Sequence, residues 1–193
     1  QLHRQGKKVC ITLAPSAGRQ PDDAARALRE AHEAGLVFSH HPPDQADFCI
    51  DALLGIGAKR EPQGQVAAHI EHINAAGLPV LAVDTPSGLC LDTGVAHKHC
   101  VRANWTLSLL TLKPGLFTAD GRDKCGEIWL DELHFGQRVH TTPPQAWLGA
   151  YPPRGERLHA SHKGSYGDVC VLGGAQGMTG AALLAASAAL HSG

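Results

Sequence analysis

Three short segments carry residue types that could do chemistry. The first runs Asp51-Ala-Leu-Leu-Gly55-Ile56-Gly57-Ala58-Lys59-Arg60-Glu61. Its glycines free the backbone to approach a ligand closely, and their N–H groups can point at phosphate. Lys59 and Arg60 suit an anion. On its own, G-x-G equally describes a tight strand-to-helix turn. The second is Asp84-Thr-Pro-Ser87-Gly88. A carboxylate fixed by proline and glycine at the end of a strand is placed for catalysis or for holding a ribose. Ser87 adds a hydroxyl and a carbonyl as oxygen ligands for a cation. An Asx-type turn is the plain alternative. The third is Leu112-Lys113-Pro114-Gly115, where a lysine in a rigid turn could hold a phosphate or sit in solvent.

The thirteen histidines and six cysteines invite a metal reading that their spacing does not support. His97, His99 and Cys100 lie together, and His69 and His72 share a helix face, but neither group has a second pair at zinc-like separation. They read as solvated surface histidines. Cys10, Cys49, Cys90, Cys100, Cys125 and Cys170 form no C-x-x-C pair. Several lie inside apolar runs, as expected of buried free thiols in a reducing cytoplasm.

The elements that must position these groups alternate. KKVCITLAP (7–15) reads as a buried strand ended by proline. PDDAARALREAHEAG (21–35) reads as a helix, with Pro21 and two aspartates in its first turn, Gly35 at its end, and Ala24, Leu28 and Ala31 on one face. Further strands are expected at 36–39, 47–55, 78–88, 103–115 and 126–133, with a helix at 64–77. Strands that are apolar on both sides and alternate with helices imply a parallel sheet covered by helices, an α/β sandwich. Ligands in such sheets bind at the carboxyl ends of strands, where the three segments fall. Residues 136–160, with two Pro-Pro pairs, read as a linker. A fresh strand (168–174), a glycine loop and a small-residue helix (179–191) follow. A lone strand and helix cannot bury a core, and the front end reads as continuing an upstream helix, so both ends suggest a piece of a longer chain.

Composition narrows the function classes. Of 193 residues, 43% are hydrophobic and 18% charged, enough to bury a core. Lys+Arg number 17 against 18 for Asp+Glu, a net charge of -1, so no basic nucleic-acid footprint is expected. The apolar runs are short and interrupted, so no membrane span is expected. The N-terminus lacks the apolar stretch of a signal peptide.

IDALLGIG (50–57), VDTPSG (83–88), TLSLLTLKPG (106–115) and GRDKCGE (121–127), in this order, resemble the NAD(P)H-hydrate epimerase domain. HKGSYGDVCVLGGAQGMTGAALLAASAAL (162–190) resembles the start of the ADP/ATP-dependent NAD(P)H-hydrate dehydratase domain, which has a ribokinase-like fold. That order is the order of the bifunctional nicotinamide-nucleotide repair enzymes. The resemblance implies a Rossmann-like three-layer sandwich at 1–135, a linker at 136–160 and a truncated dehydratase at 161–193. It also implies repair of hydrated NADH and NADPH (NADHX and NADPHX). The R and S forms would be interconverted, and water removed from the S form at the expense of ADP or ATP.

Residue by residue, the resemblance implies potassium ligands at Asp51 and Ser87. It implies a dinucleotide-binding loop over Gly55, Ile56, Gly57, Ala58, Lys59, Arg60 and Glu61. Asp84 would lie against the hydrated ring as the proton-handling carboxylate, serving as base and acid in turn. Ala181 would belong to the hydrated-nucleotide site of the second domain, and the stretch from Lys163 to Gly180 would shape its first turn. Lys113 lies in a family motif without an assigned role. The family's upstream Asn-Asn-Gly-Gly-Asp-Gly loop has no counterpart here, and neither has the dehydratase's nucleotide loop with its aspartate. The chain by itself is therefore expected to have little activity. Two other readings stay open: a non-catalytic Rossmann-like binding or scaffold protein, and a sugar-kinase-like phosphotransferase suggested by the tail alone. The Ala-rich helix face is compatible with a homo-oligomer or with packing on the sheet.

Overall fold

The computed structural model describes residues 2–14, 22–43, 45–135, 143–144, 146–149, 159–160, 162, 164 and 167–192. Pro15, Pro21, Lys163 and most of the expected linker lie outside them. The chain divides into two compact units, Gln1–Trp147 and Leu148–Gly193.

The named strands of the first unit pair in parallel. β1 (Cys10–Thr12) pairs with β2 (Val37–Ser39), and β3 (Cys49–Asp51), β4 (Val80–Val83), β5 (Trp105–Leu109) and β6 (Glu127–Asp131) form a four-stranded sheet in that order. The strands are shorter than the apolar runs that announce them, because pairing stops where glycine and proline take over. Between β1 and β2 lies helix α1 (Asp22–Glu33), closed by Gly35 in the left-handed region with its N–H on the His32 carbonyl. Leu28 and Ala31 are half-buried on its inner face, but Ala24 is exposed and no residue of α1 is fully buried.

Helix α2 (Gly64–Ala75) connects β3 to β4 and covers one face of the larger sheet. Its Ile70 is fully buried against Val80, Ala82, Val101 and Ala103, with Val66, Ile73, Cys49 and Leu53 around them. A second cluster, Leu89, Leu91, Cys100, Leu116 and Cys125, forms under the long β4–β5 connection and takes in Ile128 of β6. Asn104 ties the start of the sheet together. Its side-chain oxygen accepts the Val80 N–H at 2.8 Å, and its carbonyl accepts the Glu127 N–H at 3.0 Å. Alternation along the strands sends Ile50 and Trp129 to the opposite face, where they stay 45% and 56% exposed.

Two expectations about side chains need correction. All six cysteines are free, but only Cys100 and Cys125 are buried, while Cys10 and Cys170 are exposed. Burial pushes the Cys100 thiol up to about 12 and the Cys125 thiol up to about 11. Cys10 opens β1 at the start of the short β1–β2 pair. His69 is not a surface histidine: it is buried on the inner side of α2, and its Nε2 has no hydrogen-bond partner among the described residues.

The first unit also holds the short helix α3 (Gly121–Lys124), and in the second unit the described residues include helix α4 (Gly180–Ser192). Residues 168–174, expected as a strand, enter no ladder among the described residues. A strand exists only by pairing, and no partner segment is described in this unit. Leu183, Leu184 and Leu190 of α4 are exposed. No helix among the described residues is long and apolar enough to cross a membrane.

Ile70→Ala should lower unfolding stability by about 2–5 kcal/mol, the usual cost of an emptied core site. Leu28→Ala in the half-buried α1 should cost clearly less. Equilibrium urea unfolding of both variants measures the contrast, and equal losses would contradict a core centred on α2 and β4.

Candidate active site

The carboxyl ends of β3, β4 and β5 meet, and the chemistry-bearing residues collect there. Asp51 ends β3 almost completely buried, at 1% exposure. Its Oδ1 accepts the Ser87 hydroxyl at 2.7 Å and the Leu53 N–H at 3.2 Å, and its Oδ2 accepts the Ser87 N–H at 2.8 Å. Burial pushes the Asp51 carboxyl above its ordinary range, and the bonds from Ser87 and Leu53 work against that rise. The fully buried Ser87 Oγ also accepts the Leu54 N–H at 3.0 Å and lies 3.5 Å from the Leu54 carbonyl. The side-chain and carbonyl atoms gathered here are all oxygens, the donor chemistry of a hard cation, and the Leu53, Leu54 and Ser87 N–H groups already bond to the Asp51 and Ser87 oxygens. Among the described residues no group of three His, Cys, Asp or Glu side chains could hold a metal, so a site here would rest on mixed oxygens.

Asp84 follows β4 with φ 69°, a left-handed conformation uncommon outside glycine but tolerated by aspartate. Its N–H donates to the Leu107 carbonyl at 2.8 Å, and its Oδ1 accepts the Leu109 N–H at 3.2 Å and the Lys113 ammonium. Asp84 and Ser87 are placed by the same turn. Gly88 closes it at φ 94°, and a Cβ there would run into the His99 carbonyl. The turn is bound in place by His97 N–H on the Gly88 carbonyl and Val101 N–H on the Ser87 carbonyl, both at 2.9 Å.

The loop 55–61 is mostly in solvent. Gly55, Ile56, Gly57, Lys59 and Arg60 are exposed, and Ala58 is half-buried. Glu61 differs. Its Oε1 accepts the His99 N–H at 3.0 Å, its Oε2 accepts the Lys98 N–H at 3.1 Å, and His97 Nδ1 lies 3.2 Å from Oε2. The carboxylate that sequence reading placed among ligand contacts is spent on clamping its loop to residues 97–99. These bonds, the His99 N–H first, hold the Glu61 carboxyl below its ordinary range. His97 and His99, read as solvated, are half-buried and paired with Glu61 and Glu71.

The structure therefore brings together Asp51, Ser87 and Asp84, with the 55–61 loop anchored beside them through Leu54 and Glu61. Ala181 lies in the second unit, exposed in the first turn of α4. The Leu54 carbonyl escaped sequence reading, since no sequence pattern marks it; Lys113, singled out by its Lys-Pro-Gly turn without a role, is here the partner of Asp84.

Gly88→Ala should disrupt the Asp84–Ser87 turn and lower the melting temperature of the chain by several degrees, since both the positive φ and the His99 carbonyl oppose a side chain. A melt unchanged from wild type would contradict this packing. A depressed Glu61 carboxyl contributes stability that is present above its ordinary pKa of 4.5 and lost as pH falls through its folded value. The melting-temperature advantage of wild type over Glu61→Gln should thus be present at neutral pH and shrink in acid. An advantage that grows on acidification would show the clamp to be wrong.

Comparison with known proteins places this geometry in a family. Residues 1–115 match the family described as YjeF-related protein N-terminus. A bifunctional NAD(P)H-hydrate repair enzyme Nnr from Vibrio cholerae is 39% identical over 184 residues, covering 90% of this chain and 37% of that protein. Proteins of the same name from Coxiella burnetii (36% identical, 99% of this chain, 41% of that protein) and Escherichia coli (31%, 97% and 38%) align as well. The chain thus spans about two fifths of the length of these relatives. The crystal structure of the yeast protein ynu0 shares the fold, with a TM-score of 0.53 at 15% identity over 62% of this chain and 54% of that one. With most of its first unit matched and its sheet shared, the chain belongs to the YjeF-related protein N-terminus family.

Proposed function

We propose that residues 1–135 form the carboxyl-edge part of an NAD(P)H-hydrate epimerase pocket, and that residues 161–193 open an ADP- or ATP-dependent NAD(P)H-hydrate dehydratase domain. The observation that carries the reading is Asp84. Its carboxylate is held at the end of a parallel strand by the Leu109 N–H and Lys113, in a left-handed backbone, beside the oxygen cluster of Asp51 and Ser87. A scaffold protein has no use for a carboxylate restrained in that way.

In this reading the substrates are NADHX and NADPHX. Asp84 takes and returns the proton at the hydrated ring, and its role as base and then acid needs only one correctly placed oxygen. Gly55, Ile56, Gly57 and Ala58 offer backbone N–H groups to the pyrophosphate, with the exposed Lys59 and Arg60 adding positive charge. Glu61 acts from behind by fixing the end of that loop. Asp51, Ser87 and the Leu54 carbonyl would hold potassium, which supplies positive charge between two loops and orders them. Ala181 would contribute to the hydrated-nucleotide site of the dehydratase. The setting is cytoplasmic, where reduced nicotinamide nucleotides are used and where free thiols persist.

The test uses the polypeptide of the whole reading frame that contains this chain, with the R and S forms of NADHX separated chromatographically over time. Wild type should interconvert them. Asp84→Asn should lose about 10²–10⁴-fold in kcat, the usual contribution of a general acid–base group. Turnover that survives Asp84→Asn unchanged removes Asp84 from the chemistry, and no interconversion by wild type removes the reading altogether. The 193-residue chain alone should be far slower than the full polypeptide.

A further inference from the structure

We infer that Lys113 is the residue that positions Asp84 for proton transfer, committing one carboxylate oxygen to the protein and leaving the other for the ligand. This rests on the reading of Asp84 as the proton-handling group.

The geometry starts with the path of the chain after β5. Leu110 turns at φ 66°, its N–H bonded to the Asp131 carbonyl at 2.8 Å, and the backbone doubles back. Lys113 then lies extended beside the strand it has just left, with φ -113° and ψ 138°. Pro114 and Gly115 begin a short 3-10 helix. That helix is tied to its surroundings: the Gly115 N–H donates to the Leu91 carbonyl at 2.7 Å, a Cβ on Gly115 would strike the Cys90 and Leu91 carbonyls, and Leu116 is fully buried.

The lysine side chain is nine-tenths buried. An ammonium has three donors and no acceptor, and an unpaired buried charge is costly. Here all three donors are used: on Asp84 Oδ1, on the Leu109 carbonyl at 2.7 Å and on Ser108 Oγ at 3.2 Å. Ser108 donates its own proton to the Thr111 carbonyl at 2.9 Å, which turns its lone pairs toward the ammonium. With its donors consumed, Lys113 cannot itself deliver a proton to a ligand.

Its effect falls on Asp84. Oδ1 is fixed by the ammonium and by the Leu109 N–H, while Oδ2 receives no hydrogen bond among the described residues. A free aspartate would sample several rotamers. One held through Oδ1 presents Oδ2 in a single direction, which is what proximity catalysis requires.

Two readouts test the assignment. The first is a double-mutant cycle of melting temperatures in the 193-residue chain, with Asp84→Asn, Lys113→Met and both together. Direct pairing requires the double variant to lose less than the sum of the single losses. Strict additivity overturns the inference. Should Lys113→Met not fold, Lys113→Gln, which keeps two donors, repeats the cycle. The second readout is epimerisation by the full polypeptide. Lys113→Met should lower kcat by at least about 100-fold with KM within about threefold, and adding it to Asp84→Asn should lower kcat little below that of Asp84→Asn alone. A kcat within twofold of wild type, or losses that multiply, overturns the positioning role even if the pairing is real. A wild-type polypeptide that fails to epimerise while the thermal coupling stands defeats the epimerase reading and keeps the pairing.

Discussion

A carboxylate buried at the end of a strand constrains everything around it. Asp51 has almost no access to water, so each of its oxygens must find donors within the protein. It finds them in Ser87, which gives both its hydroxyl and its N–H, and in Leu53. That requirement joins β3 to the turn after β4. Once Ser87 is fixed, the residues on either side of it are fixed as well: Asp84 three places before, and Gly88 with its close approach to His99 after. Val101 then follows through its bond to the Ser87 carbonyl. One buried polar contact thus sets the spacing between two strand ends and the entry to the β4–β5 connection.

The site rests on polar bonds between loops, and the core rests on apolar contacts one layer below. Ile70, Val80 and Ala82 set the distance between α2 and the sheet, and Asn104 locks the starts of β4 and β6 to the chain before β5. Loops that carry function usually need a scaffold that does not move. Here the clamp at Glu61 and the anchor at Lys113 extend the rigidity of the scaffold into the loops. The glycine segment and the basic pair at 59 and 60 stay in solvent.

Much of this was legible in the sequence, and the reasons are local. Apolar runs bounded by Gly or Pro marked the strands of the larger sheet, and the glycines at 35 and 77 marked the ends of α1 and α2. The Asp84–Gly88 turn was readable because proline and glycine announce it. What escaped depends on distant partners. The Lys113–Asp84 pair joins residues 29 apart in sequence, and the Glu61 clamp reaches 37 to 38 residues. No periodicity reports such contacts. Burial of His69 also escaped, since histidine at a helix position is compatible with either side. The segment 168–174 has strand composition and no ladder, because composition supplies the preference and pairing supplies the structure.

The left-handed backbone at Asp84 has a consequence for the history of this position. Few residues with a side chain tolerate that conformation, and those that do are chiefly asparagine and aspartate. Glycine would fit but bring no functional group, and glutamate would keep the acid but fight the backbone. Among polar side chains, asparagine keeps the shape and removes the charge. The position thus has almost no neutral neighbours through which a lineage could drift. Loss of the carboxylate in a descendant would break the pair with Lys113 while leaving the backbone path unchanged.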